Sequence, residues 1–320
     1  MTGADITPSP IEILPVDISA YREGNGPVDY VHIFDSGLPG STVMVNALTH
    51  GNELCGAHAL AHMFEGDIRP SAGRLILSFA NVDAYHRFDA DNPSASRFLD
   101  EDFNRVWSPA ELDGSRQSRE LTRARALRPV VAMADYLLDL HSMQCASPPL
   151  MLCGVAEKGR RLAMAVGCPR HIVADVGHTA GRRMRDYDAF ADPASPKTAL
   201  LAECGQHWAD ASRAVAIETT RRFLVAVGSI AIQDWPTDGL PSAPEATRLI
   251  EVTEAVTIVT SRFRFTNDFK GLETVESAGS VIAYDGRTPV RTPYDNCVLI
   301  MPSRRLLPGQ TAVRLGRFVD

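Results

Sequence analysis

Short apolar runs recur along the first two thirds of the chain, each closed by a polar turn and most followed by a longer helical pattern. That alternation predicts an α/β sheet flanked by helices. Candidate strands are residues 41–46, 74–80, 136–140, 150–153 and 198–202, and candidate helices are residues 53–64, 115–133, 156–166 and 210–227. The stretch "DWPTDGLPSAPEA" is dense in Pro, Gly and Asp and reads as a connector. Beyond it, "RLIEVTEAVTIVT", "SRFRFT", "SVIAYDG", "NCVLIM" and "TAVRLGRF" read as strands broken by turn residues, with no long helix. The expected organisation is an α/β domain over 1–234, a connector over 235–244 and a smaller β-rich domain over 245–320.

With 320 residues, 45% hydrophobic and 22% charged, the chain can bury a sizeable core and a smaller second one. A formal charge of -7 and a pI near 5.7 argue against a nucleic-acid partner, which calls for a basic stripe. No run reaches the roughly 18 apolar residues of a membrane span, and "MTGADITPSPIEIL" lacks the pattern of a signal peptide. The six cysteines form no C-x-x-C pair, which suits reduced thiols and a cytoplasmic location.

Ionisable residues gather where three of the candidate strands end. In "VMVNALTHGNELCGAHAL" His50 and Glu53 stand three apart at a strand-to-helix junction, where both can converge on one point. That spacing suits a metal, although an isolated H-x-x-E is commonly a surface or capping arrangement. His141 follows the strand in "DYLLDLHSM", and Glu203 ends the one in "TALLAECGQHW". Ligands of open α/β sheets bind beyond the carboxyl ends of strands, so these residues should share one crevice. Asp139 lies two before His141, facing the same way on a strand, and could orient a neighbouring group. In "SRFLDEDFNRVW" Arg97, Asp102, Asn104 and Arg105 crowd a loop, and guanidinium groups match a carboxylate or an oxyanion with paired N–H donors.

Taken together, H-G-N-E, R-F-x-D-x-D-x-N-R, D-L-H-S and A-E-C-G resemble the motifs of the aspartoacylase and succinylglutamate desuccinylase family, relatives of the zinc carboxypeptidases. The resemblance runs from about Ser41 to Gly205, and the β-rich tail fits the family's C-terminal domain more loosely. It implies a zinc carboxypeptidase-like mixed sheet and one Zn2+ per chain, bound by His50, Glu53 and His141, with a coordination position left for water. It further implies that Glu203 is the base, that Arg97 polarises the scissile carbonyl, and that Asn104 and Arg105 hold the substrate's free carboxylate with support from Asp102.

Other candidates carry plainer readings. His58 and His62 are four apart on a helix and read as structural or surface groups. His207 reads as a packing or supporting group with substrate contact as the alternative, and the arginines of "GRRMRDYDAF" read as a solvated surface, with approach of Arg182, Arg183 or Arg185 to an acyl group as the alternative. Tyr284 and Tyr294 read as packing residues. The aspartoacylase pattern also has an arginine shortly before the base and a tyrosine in the C-terminal domain. "DPASPKTALLAE" lacks the first and "LIMPSRRLLPGQ" the second, so N-acetylaspartate is not the expected substrate, and no residue supports succinylglutamate. The expectation is a zinc-dependent amidohydrolase acting on a small N-acyl amino acid or related amide, with a homo-oligomer allowed. A carboxypeptidase acting on peptides and a non-catalytic carboxylate-binding protein are the rivals.

Overall fold

The computed structural model describes residues 9–177, 180–235 and 246–319. Most of the expected connector, residues 236–244, therefore lies outside the described residues. The seven strands before it are β1 (Val31–Asp35), β2 (Thr42–Ala47), β3 (Arg74–Phe79), β4 (Tyr136–Met143), β5 (Leu150–Leu152), β6 (His171–Ala174) and β7 (Thr198–Gln206). Long helices are α1 (Leu54–Glu65), α4 (Arg119–Met133), α5 (Glu157–Val166) and α6 (Asp210–Ala226), with single turns α2 (Val82–Tyr85) and α3 (Pro109–Leu112) between the first two. The remaining strands are β8 (Arg248–Thr257), β9 (Phe263–Phe265), β10 (Thr274–Val275), β11 (Val281–Asp285), β12 (Thr288–Arg291), β13 (Cys297–Ile300) and β14 (Thr311–Val319).

An 11-stranded mixed sheet runs in the order β1-β3-β2-β4-β7-β5-β6-β8-β14-β13-β10, and β12-β11-β9 form a small antiparallel sheet. Its centre is parallel through β3, β2, β4 and β7. Alternate residues of these strands feed opposite layers: Val43, Val45, Leu138 and Leu140 pack with α1, α5 and α6, and Met44, Ile76 and Leu137 pack with α4. The C-terminal strands continue the same sheet, since β8 pairs parallel to β6 with Ile172 opposite Leu249. They also build their own core around Ile282, Leu299 and Val313.

The four expected helices and five expected strands all form, with shifted ends. The helix expected from 115 begins at Arg119, because the Ser118 hydroxyl accepts a hydrogen bond from Leu121 N at 2.9 Å and caps it. Strands β4 and β7 run past their apolar stretches to Met143 and Gln206, so His141 and Glu203 lie inside strands rather than beyond them. Strands β1 and β6 were not expected, being short and interrupted by histidine or aspartate. No helix among the described residues is long and apolar enough to cross a membrane.

Helix α1 is drawn tightly onto the sheet at Gly56, where an added Cβ would lie 2.9 Å from Ala47 Cβ and 3.1 Å from Leu140 Cβ. Gly56→Val should therefore cost about 1–3 kcal/mol through overpacking. Urea unfolding at neutral pH measures this, and an unchanged midpoint would mean that the helix can step aside without penalty.

Candidate active site

The chain leaves β2 through Leu48, a buried residue held at φ 62, and this left-handed turn swings Thr49 to Glu53 across the carboxyl end of the sheet. His50 and Glu53 are thereby buried beside β4, where His141 lies opposite Glu203 of β7. Glu53 joins both histidines: its Oε1 is 2.7 Å from His50 Nδ1, and its Oε2 is 2.9 Å from His141 Nδ1. One ligand atom from each of these three residues falls within 4.8 Å of the others, a set able to hold a metal ion.

The far nitrogen of each ring meets another carboxylate. His141 Nε2 is 2.8 Å from Asp139 Oδ2, and His50 Nε2 is 2.9 Å from Asp102 Oδ1. Asp139 is fully buried and accepts hydrogen bonds at 2.8 Å from both Asn46 Nδ2 and Thr49 Oγ1. Such contacts fix the ring orientation and turn each Nδ1 towards Glu53, the third member of the candidate ligand set. Burial disfavours charge throughout, yet the paired His50 and His141 rings hold the Glu53 carboxyl well below the usual carboxylate range. Burial likewise opposes protonation of His141, but Asp139 and Glu53 raise its pKa well above that of an ordinary histidine.

Glu203 stands apart from this network. Its Oε2 is buried without a hydrogen-bond partner among the described residues, and burial pushes the carboxyl up to about 8, with His141 opposing and Glu53 adding to the shift. It faces a cavity of about 620 Å3 that His50, Glu53 and His141 also line.

Arg97, Asp102, Asn104 and Arg105 line the same cavity, so every expected site residue except the fully buried Asp139 borders it. Asp102 differs from the expectation: it does not meet the side chains of Asn104 or Arg105, but holds His50 and lies 3.4 Å from Arg97 Nη2. It supports the Asn104–Arg105 turn through backbone groups instead, Oδ1 accepting from Asn104 N at 2.9 Å and the carbonyl oxygen from Arg105 N at 3.0 Å. Arg97 also reaches Glu53 Oε1 at 3.2 Å. Asn104 turns Oδ1 to Met184 N at 3.0 Å, which ties the arginine-rich loop to the site.

That loop is a solvated surface only in part, with Arg182 exposed. Arg183 and Arg185 are buried. Arg183 borders the cavity and makes a two-pronged contact with Asp175 at 3.0 and 3.1 Å, while Arg314 of β14 approaches the same carboxylate at 3.6 Å. A run of charge reads as surface unless its counter-ions are recognised, and here Asp175 and Asp186 supply them from separate turns. Burial lowers the pKa of Arg105; Asp102 opposes the shift, and Arg97, Arg183 and Arg314 add to it. The C-terminal segment contributes a further basic wall of Lys270, Arg304 and Arg305. His58, His62, Tyr284 and Tyr294 do not border the cavity, consistent with their plainer readings.

Fold and site define an α/β protein with a candidate His-Glu-His metal centre at the carboxyl end of its central strands. The family model of the succinylglutamate desuccinylase/aspartoacylase catalytic domain matches residues 39–208, and the chain belongs to that family of hydrolases. Solved structures share the fold. Succinylglutamate desuccinylase from Chromobacterium violaceum is 16% identical, with a TM-score of 0.66 over 92% of this chain and 89% of that one. The same enzyme from Vibrio cholerae is 16% identical, with a TM-score of 0.65 over 92% and 86%. The product-bound ectoine utilization protein EutE (DoeB) from Ruegeria pomeroyi is 19% identical, with a TM-score of 0.63 over 90% and 88%. No curated protein matches the chain in sequence.

Asp175 offers a stability test, because removing it leaves two guanidinium groups without their shared counter-ion. Burial acts to raise its pKa, but Arg183 and Arg314 pull it below the ordinary value. Its contribution is therefore full above the unfolded value of about 3.9 and is lost as pH falls through the lowered folded value. Asp175→Asn should lose about 3–5 kcal/mol at pH 7, and its deficit against the parent chain should shrink as the pH drops below about 4. Urea titrations across that range read both effects; a deficit independent of pH would contradict them.

Proposed function

We propose that the chain is a zinc-dependent amidohydrolase that removes the acyl group from a small N-acyl amino acid or related amide. The observation that carries this reading is the convergence of His50, Glu53 and His141 beside Glu203, whose Oε2 has no hydrogen-bond partner among the described residues. Two imidazole nitrogens and a carboxylate oxygen, with carboxylates behind both rings, suit Zn2+. When bound, such an ion acidifies water and polarises the scissile carbonyl.

The chain's own groups account for the remaining work. Glu203, once ionised, accepts the proton of the attacking water and returns it to the leaving amine, and a buried carboxyl raised to about 8 is poised to do both near neutral pH. Arg97, anchored by Glu53 and Asp102, presents its positive charge to the developing oxyanion. Arg105 and Asn104 hold the substrate carboxylate, and Asp102 and Asp139 orient His50 and His141. The residues after the connector act as a second unit that walls the cavity through Arg304, Arg305 and Arg314. That wall favours a small amide over a peptide, which needs an open groove.

A panel of N-acyl amino acids incubated with zinc-loaded protein, scored by release of free amine, tests the activity. Rates should fall steeply from N-acetyl to N-dipeptidyl derivatives of one amino acid; equal or faster cleavage of the longer compounds would favour a carboxypeptidase. His141→Ala should lose most of the bound metal by elemental analysis, and unchanged content would refute the ligand set. Glu203→Gln should retain the metal and lose at least about a hundredfold in rate. Arg105→Ala should lower kcat/KM well over tenfold, given about 2–5 kcal/mol for a desolvated charge pair, and methyl esterification of the substrate carboxylate should have a comparable effect.

A further inference from the structure

His207 is buried at the cavity wall, four residues beyond Glu203. Its backbone N donates to Met143 O at 2.9 Å, which fixes the turn after β7 against the end of β4. Its Nδ1 lies 2.8 Å from the hydroxyl of Ser142, the residue directly after His141. Its Nε2 is buried with no hydrogen-bond partner among the described residues. The ring is thus held on one side, and its other nitrogen is left unsatisfied.

The Ser142 hydroxyl can act as the donor to Nδ1, which goes with one tautomer of the ring. Ser142 is buried too, and His207 Nδ1 is the partner of its hydroxyl. If the hydroxyl donates to Nδ1, its hydrogen is satisfied and the ring proton resides on Nε2. Burial lowers the His207 pKa to about 4, which keeps the ring neutral near pH 7. His207 lines the same cavity as His50, Glu53, Arg97 and His141. Arg97, by contrast, already spends donors on Glu53 and Asp102.

We infer that His207 is a further catalytic residue of this site: its Nε2–H donates a hydrogen bond to the scissile carbonyl oxygen as that oxygen becomes the tetrahedral oxyanion. Ser142 is a positioning residue that fixes the tautomer. A neutral donor held in place before reaction stabilises charge that appears only in the transition state, so its contribution falls on kcat rather than on substrate binding. A buried N–H without a protein partner is costly to a fold, and here the partner arrives with the substrate. The inference rests on the amidohydrolase reading above.

The test compares zinc-loaded parent protein with His207→Ala, His207→Gln and Ser142→Ala, using whichever of the N-acetyl and N-succinyl derivatives of the common amino acids the parent cleaves fastest. His207→Ala should lower kcat about 10²–10³-fold, with KM within about threefold and zinc content unchanged. His207→Gln, which keeps an N–H donor, should recover at least tenfold of that loss, and Ser142→Ala should lose about tenfold by releasing the tautomer. A kcat within threefold of the parent in His207→Ala, or a raised KM with kcat unchanged, overturns the assignment. If His207→Ala fails to fold, Ser142→Ala decides, because unchanged kcat there removes the positioning argument. Nitrogen NMR of the parent chain at pH 7 supplies a readout independent of turnover: the neutral Nε2–H tautomer is expected, and an Nδ1–H or doubly protonated ring refutes the proposal. A parent chain that cleaves no compound of the panel refutes the amidohydrolase reading, and the NMR result then decides the state of His207 separately.

Discussion

The site depends on the parallel pairing of β4 with β7 that places His141 opposite Glu203. In a parallel pair, residues in register project to the same face, so one backbone register brings a candidate metal ligand and a candidate base to the edge of one cavity. A slip of one residue would turn either side chain to the other face of the sheet. The register is secured by apolar residues on both sides, Leu137, Leu138 and Leu140 on one strand and Ala199, Leu200 and Ala202 on the other, all buried against helices. The same packing that stabilises the fold therefore sets the geometry of the chemistry.

Burying so many ionisable groups is tolerable only because nearly every one is paired. Glu53 spans two histidines, each histidine backs onto a second carboxylate, and Asp175 holds one guanidinium and lies beside another. A buried polar atom left without a partner is also costly, so the exceptions at the cavity carry meaning. Among the described residues Glu203 Oε2, His207 Nε2 and Ser147 Oγ are orphaned, and all three lie on residues that border the cavity.

Much of this was legible in the sequence. Helix positions followed from apolar spacing, and the ligand and base candidates followed from ionisable residues at the ends of apolar runs. Strand ends were less legible, because His141, Glu203 and Gln206 look like loop residues, although β4 and β7 continue through them by backbone pairing. The role of Asp102 was not legible, since nothing in R-F-x-D-x-D-x-N-R says that this carboxylate turns back to His50. Arg183 was hidden in a charge run whose counter-ion Asp175 is eight residues away, and Arg314 was hidden in a strand that reads as plain tail. His207 was visible as a candidate, but the pairing of Nδ1 and the freedom of Nε2 are properties of the fold.

Charge distribution adds a final constraint. The chain carries a formal charge of -7, yet its cavity is walled by Arg97, Arg105, Arg183, Arg304, Arg305 and Arg314. A surface excess of negative charge is screened within about 10 Å at ordinary salt, whereas guanidinium groups in a partly desolvated cleft act on whatever enters it with much less screening. Several of these arginines are committed to carboxylates, but the approach of Arg105, Arg183 and Arg314 to one another leaves local positive charge that Asp175 and Asp102 only partly offset. Arginines held close together against their mutual repulsion favour an anionic ligand, and they belong to the loop after Arg97, the turn after β6 and the C-terminal strand β14. The C-terminal segment is therefore tied to the site by electrostatics as well as by the sheet it extends.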